Sequence, residues 1–156
     1  MRTFEVRSPS MGRGDMLNTR YTDEKHGGAN RSFPLHIDRL PAETQSVAWA
    51  LVDRDAGDFL HWLVVDVPPG NIEIAEDASR HAMPPGAREL YNQAGFEGYQ
   101  GPDPTPRTGT HVYELVAYAL DTPTLEIEDH ADLKSFQQAA EQHALATGQD
   151  YWIYES

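Results

Sequence analysis

No cysteine occurs among the 156 residues, so disulfides, thiolate nucleophiles and cysteine-based metal sites are excluded from the outset. Staples are not needed at this length, because a domain of this size buries a core sufficient to fold alone. No repeat, low-complexity tract or linker divides the chain, and a single domain over 1–156 is expected. Long hydrophobic runs are missing too: no stretch approaches the roughly 20 apolar residues of a membrane span. The opening Met1-Arg2-Thr3-Phe4-Glu5-Val6 lacks the apolar segment of a secretory signal. We expect no transmembrane segment and a cytoplasmic location. Positive charge is scarce, with 12 Lys and Arg against 25 Asp and Glu for a net charge of −13, and the only lysines are Lys25 and Lys134. Such a field repels a nucleic-acid duplex at long range, so no nucleic-acid partner is expected. Also absent are a nucleophile elbow, a P-loop and a dinucleotide fingerprint.

What is present is a chain 39% hydrophobic and 24% charged, too apolar for disorder. Its 12 glycines and 11 prolines separate apolar segments that are mostly under ten residues long. That pattern predicts an all-β sandwich with long loops. Strands are expected at Thr3 to Ser8, Ser46 to Asp53, His61 to Val67, Thr110 to Asp121 and in the aromatic "YWIY" of Tyr151 to Tyr154. One helix is signalled near the C-terminus, with Asp129 as its cap, Leu133, Phe136, Ala140 and Ala144 as its apolar stripe and Gly148 as its terminator. Ile72 to His81 suits either a weaker helix or a structured loop. The long segment ending in Tyr91 to His111 carries Tyr91, Phe96 and Tyr99, aromatic residues that argue for order.

Two segments share one plan. In "LVDRDAGDFLHWLVVDVP" the aspartates Asp53 and Asp55 lie in a turn before His61, which enters a strand. In "GPDPTPRTGTHVY" a Gly- and Pro-rich loop delivers Asp103, then His111 and Tyr113, which fall on one strand face. Were the two strands adjacent, carboxylates and imidazoles would gather at one end of a sheet. Taken singly, the aspartates read as turn residues bonding their own backbone, and His61 as a half-buried strand residue. His26, His36, His81, His130 and His143 read as surface or packing residues, and Trp49 and Trp62 as core. A zinc or manganese site would accept two histidines with aspartates, but the spacing matches no short metal motif, and neither a metal nor a cofactor is expected. Paired carboxylates, or His111 beside Tyr113, leave acid–base catalysis open as the alternative.

In order and spacing the segments resemble the phosphatidylethanolamine-binding proteins, in particular their bacterial and archaeal Raf kinase inhibitor-like branch. The resemblance runs through "SPSMGRGDMLNTRYT", "GGANRSFPL", "LVDRDAGD", "HWLVVDVP", "YNQAGFEGYQGPDP" and "GTHVYELVAYALD" and covers nearly the whole chain. It implies a Greek-key antiparallel β-sandwich with a C-terminal α-helix, and a small pocket for an anion such as phosphate or a phosphorylated headgroup. Carried over by position, that pocket holds Asp53, Asp55, His61, Gly101, Asp103, His111 and Tyr113. The aspartates would orient the imidazoles and favour their protonated form, and loop amides would add partial positive charge.

Three departures from the family pattern stand out. Asp103 puts a negative charge in the Gly-Pro loop. The aspartate motif lacks both of its stiffening prolines, which predicts a more mobile loop. Val112 replaces an arginine and faces away from His111. The function expected is the binding of a small anion or phospholipid headgroup, with modulation or inhibition of a partner protein as in relatives. The alternative is a hydrolase or metal-dependent enzyme using the same cluster. Self-association as a homodimer is expected from the family's habit and the aromatic tail.

Overall fold

The computed structural model describes residues 2–156. Among these residues nine strands form two sheets: β1 (Arg2–Thr3), β2 (Glu5–Arg7), β3 (Leu35–Asp38), β4 (Ser46–Asp53), β5 (Phe59–Val67), β6 (Ile72–Ile74), β7 (Arg88–Glu89), β8 (Thr110–Leu120) and β9 (Ala144–Glu155). The larger sheet runs β1-β9-β8-β4-β5-β7 and the smaller β2-β3-β6. Among the described residues the molecule is mostly β with one α-helix, α1 (Leu133–Glu141). Antiparallel pairing throughout, as the sequence suggested, needs correction: β1 joins β9 in parallel, so the larger sheet is mixed.

The segment expected as one strand from Thr3 to Ser8 divides at Phe4, whose amide donates to Thr147, and the chain passes there from one sheet to the other. One core cluster spans the two sheets, with Val6, Leu35 and Ile37 from the smaller meeting Trp49, Trp62 and Trp152 from the larger. A second cluster lies on the opposite face of the larger sheet, where Phe136 and Ala140 of α1 cover Ala50, Leu63 and Tyr118. Burial on both faces explains why "SVAWALVD" in β4 is buried at all eight positions and shows no alternation.

The helix is shorter than its stripe suggested. Asp132, not Asp129, caps it, accepting from the Ser135 amide at 2.8 Å. Ala144 and Gly148 belong to β9, which pairs with β8 from Ala144 to Glu155. Tertiary pairing overrides the local helical spacing there. At Gly148 a Cβ would lie 2.7 Å from Val6 Cγ2 and 2.9 Å from Phe4 Cε2, so its role is close approach between sheets rather than helix termination. The Ile72 to His81 segment opens with strand β6 and continues as turns, while β3, short and bounded by Pro34 and Arg39, went unsignalled.

Candidate functional site

Strand registry brings the two similar segments together. The two histidine-bearing strands are not adjacent as the sequence reading required: β4 lies between β5 and β8, pairing with both, and Asp53 at its end lies opposite both Phe59 and Tyr113. Between β4 and β5 the register slips, Leu51 facing Trp62 but Val52 facing Leu60. His61 is therefore the extra residue of a β-bulge, a device that re-aims a side chain at a sheet end. The turn between the strands uses Gly57 and Asp58 at φ +64° and +58°.

A cavity of about 260 Å³ opens at this end, lined by Asp53, His61, Gly101, Asp103 and His111 with an apolar wall that includes Phe59. Asp55 and Tyr113, expected in the pocket, are not among its lining residues. Asp55 turns outward, and its Oδ2 accepts the Val112 amide at 2.7 Å, closing the β4–β5 turn onto β8. Tyr113 is fully buried between the imidazoles, its ring centroid 5.4 Å from that of His61 and 6.3 Å from that of His111. Its hydroxyl has no partner among the described residues. Burial, then the neighbouring Asp53, pushes that phenol well above its ordinary range.

The imidazoles are held differently. His111 Nδ1 lies 2.7 Å from Asp53 Oδ2 and Nε2 lies 2.6 Å from Thr108 Oγ1, so both nitrogens are engaged. The Asp53 and His111 side chains are each 3% exposed. His61 Nδ1 lies 2.6 Å from the Gln100 carbonyl. A carbonyl only accepts, so Nδ1 carries the proton and Nε2 is the free ring nitrogen. Burial pushes His61 below its usual range, outweighing the Gln100 carbonyl and Asp53, which pull upward. The expectation that flanking aspartates would make this ring cationic is thus corrected for His61: desolvation of a nearly enclosed ring exceeds their attraction.

Distant segments build the rest. The Gly101 amide donates to Asn30 Oδ1 at 2.6 Å, Tyr99 Oη to the Tyr21 carbonyl at 2.6 Å and the Asp23 amide to the Pro102 carbonyl at 2.9 Å. The Gly-Pro loop is zipped to residues 21–30, and the Gly101 amide is not free for a guest. Asp103 meets Lys25 Nζ at 3.3 Å and His26 Nε2 at 2.9 Å at the mouth. Lys25 counters its charge there and His26 is within hydrogen-bond reach of it, the two residues lying 78 and 77 positions away. Lys25, His26, Asn30, Gln100 and Thr108 escaped the sequence reading. Gln100 and Thr108 flank motif residues, but nothing local links 25, 26 or 30 to this loop.

Arg54 stands in place of the first missing proline. Its amide donates to the Val112 carbonyl at 2.9 Å, and its guanidinium reaches Glu114 Oε1 at 2.6 Å and Asp58 Oδ1 at 3.2 Å. Among the described residues no three His, Asp or Glu side chains gather as metal ligands would, and no helix is long and apolar enough to cross a membrane.

The family model described as phosphatidylethanolamine-binding protein matches residues 7–154. A UPF0098 protein of Methanothermobacter thermautotrophicus is 36% identical over 143 residues, covering 88% of this chain and 89% of the relative. The crystal structure of Escherichia coli YbcL, described as a new member of the mammalian PEBP family, superposes with a TM-score of 0.90 at 27% identity, covering 98% of each chain. A putative phosphatidylethanolamine-binding protein homolog from Chlamydia trachomatis, CT736, gives 0.83 at 26% identity, covering 100% of this chain and 99% of the other.

Proposed function

The chain belongs to the phosphatidylethanolamine-binding protein family, and from that membership we propose that it binds a small anion or a phosphorylated headgroup in the cavity beside His61. What supports the reading is one observation. Asp53, His61, Asp103 and His111, from four separate stretches of chain, border a single cavity of about 260 Å³. That volume suits a phosphate or a short phosphorylated amine and is at the small end for a drug-sized ligand. The apolar wall at Phe59 would shield the contact from water.

The test follows the His61 and His111 ring resonances by NMR during titration with inorganic phosphate and O-phosphoethanolamine at pH 6. Saturable shifts that vanish in His61→Ala are expected; wild-type spectra unchanged by either compound at millimolar concentration would overturn the reading. A cytoplasmic setting and the modulation of a protein partner complete the proposal. So does self-association, which a strict monomer in sedimentation at high concentration would remove.

A further inference from the structure

Of the eleven residues bordering the cavity, none is lysine or arginine. An anion entering it meets no guanidinium or ammonium in direct contact. Lys25 and His26 are spent on Asp103 at the mouth. Gly101 gives its amide to Asn30, and both His111 nitrogens are taken by Asp53 and Thr108. Of the imidazole nitrogens bordering the cavity, the one left without a partner among the described residues is Nε2 of His61, which bears a lone pair while Nδ1–H is held by the Gln100 carbonyl. A lone pair facing an anionic oxygen repels it.

We propose that the pocket takes up its anion together with one proton, held between Nε2 of His61 and an oxygen of the guest, so that the ligand class is an oxyacid bound with its proton. This rests on the anion-binding reading above and specifies its chemistry. Two descriptions share the same proton count: an imidazolium facing a full anion, or a neutral imidazole accepting the O–H of a monoprotonated phosphate ester. Relative to neutral His61 and the fully ionised guest, the complex contains one extra proton drawn from solvent.

The groups facing the ring come from every element packed around it. Asp53 comes from β4, His111 and Tyr113 from β8 and Asp103 from the Gly-Pro loop, with Lys25 and His26 behind Asp103. The carboxylates favour the added proton once a guest has entered, while burial keeps the empty site from holding it beforehand.

Calorimetric titration at pH 5.5 to 8 with sodium sulfate and with inorganic phosphate, in paired buffers of different ionisation enthalpy, tests this. Sulfate has no titratable proton in that range. It is expected to bind with uptake of one proton and to lose about tenfold in affinity per pH unit once His61 is neutral. Phosphate, able to bring the proton itself, is expected to lose affinity less steeply below neutral pH. His61→Gln, which can donate without titrating, is expected to bind sulfate without pH dependence. Sulfate binding with constant affinity from pH 6.5 to 8 and no buffer-dependent heat would overturn the proton coupling while leaving anion binding intact. Failure of both anions to bind at pH 5.5 would remove the anion reading, and this inference with it.

Discussion

At position 101 a single methyl group is enough to disturb the site. A Cβ there would run into the Tyr21 carbonyl and lie 2.9 Å from Asn30 Oδ1, both on the segment that holds the Gly-Pro loop. Backbone cannot step aside as a flexible side chain can, so Gly101→Ala is expected to cost roughly 1–3 kcal/mol, the range for overpacking a tight contact. Urea unfolding measures it, and a midpoint equal to wild type would contradict the close approach. His61 acts on stability through its proton. Its folded pKa is depressed, so the unfolded chain binds the proton more readily. The stabilisation it contributes is fully present above about pH 6.5 and drains away as pH falls through that value toward the lower folded pKa. Unfolding free energy is therefore expected to drop more steeply from pH 7.5 to 5.5 in wild type than in His61→Gln. Parallel slopes in two denaturation series would contradict it.

Among the elements, the β4–β5 turn carries the clearest substitution of one physical device for another. Proline would restrict this loop by fixing φ. At position 57, where the second proline is missing, φ is +64° and a proline ring could not be seated. Arg54 ties the loop instead, to the Val112 carbonyl through its backbone and to Glu114 and Asp58 through its guanidinium. The mobility expected from the missing prolines is opposed by these bonds. With side chains about a third and a quarter exposed, the Arg54–Glu114 pair is worth on the order of 0.5–1 kcal/mol. Arg54→Ala is expected to lose about that much stability and to speed amide exchange in residues 54–58, as read by hydrogen-exchange NMR. Unchanged exchange in this turn would show that Arg54 does not restrain it.

For the molecule as a whole, the net charge of −13 sets the long-range term. Like charges repel across the folded surface, and added salt screens that repulsion. Raising ionic strength from about 20 to about 200 mM is expected to raise the unfolding free energy by on the order of 1 kcal/mol. The check is urea denaturation at several salt concentrations; a fall would mean that surface ion pairs outweigh the repulsion. The same field slows the approach of any anion, which leaves capture to short-range contacts inside the cavity.

Local pattern alone determined the long central strands. β4 has the predicted bounds Ser46–Asp53, and β8 ends one residue before the predicted limit at Asp121, because continuous β-branched and aromatic runs fit few other conformations. The family resemblance grouped Asp53, His61, Asp103 and His111, and these four border one cavity. The end of α1, the hidden strand β3 and the roles of Ala144 and Gly148 were decided by pairing across the sheet, which no local spacing encodes. Asp55 turns outward, where its carboxylate accepts from the amide of Val112, 57 residues away. The depressed pKa of His61 was decided by enclosure, and the countering of Asp103 by Lys25 arriving from another segment. Burial and long-range hydrogen bonds arise only when the chain has closed on itself, and they fix which way a charged side chain faces and whether it keeps its proton.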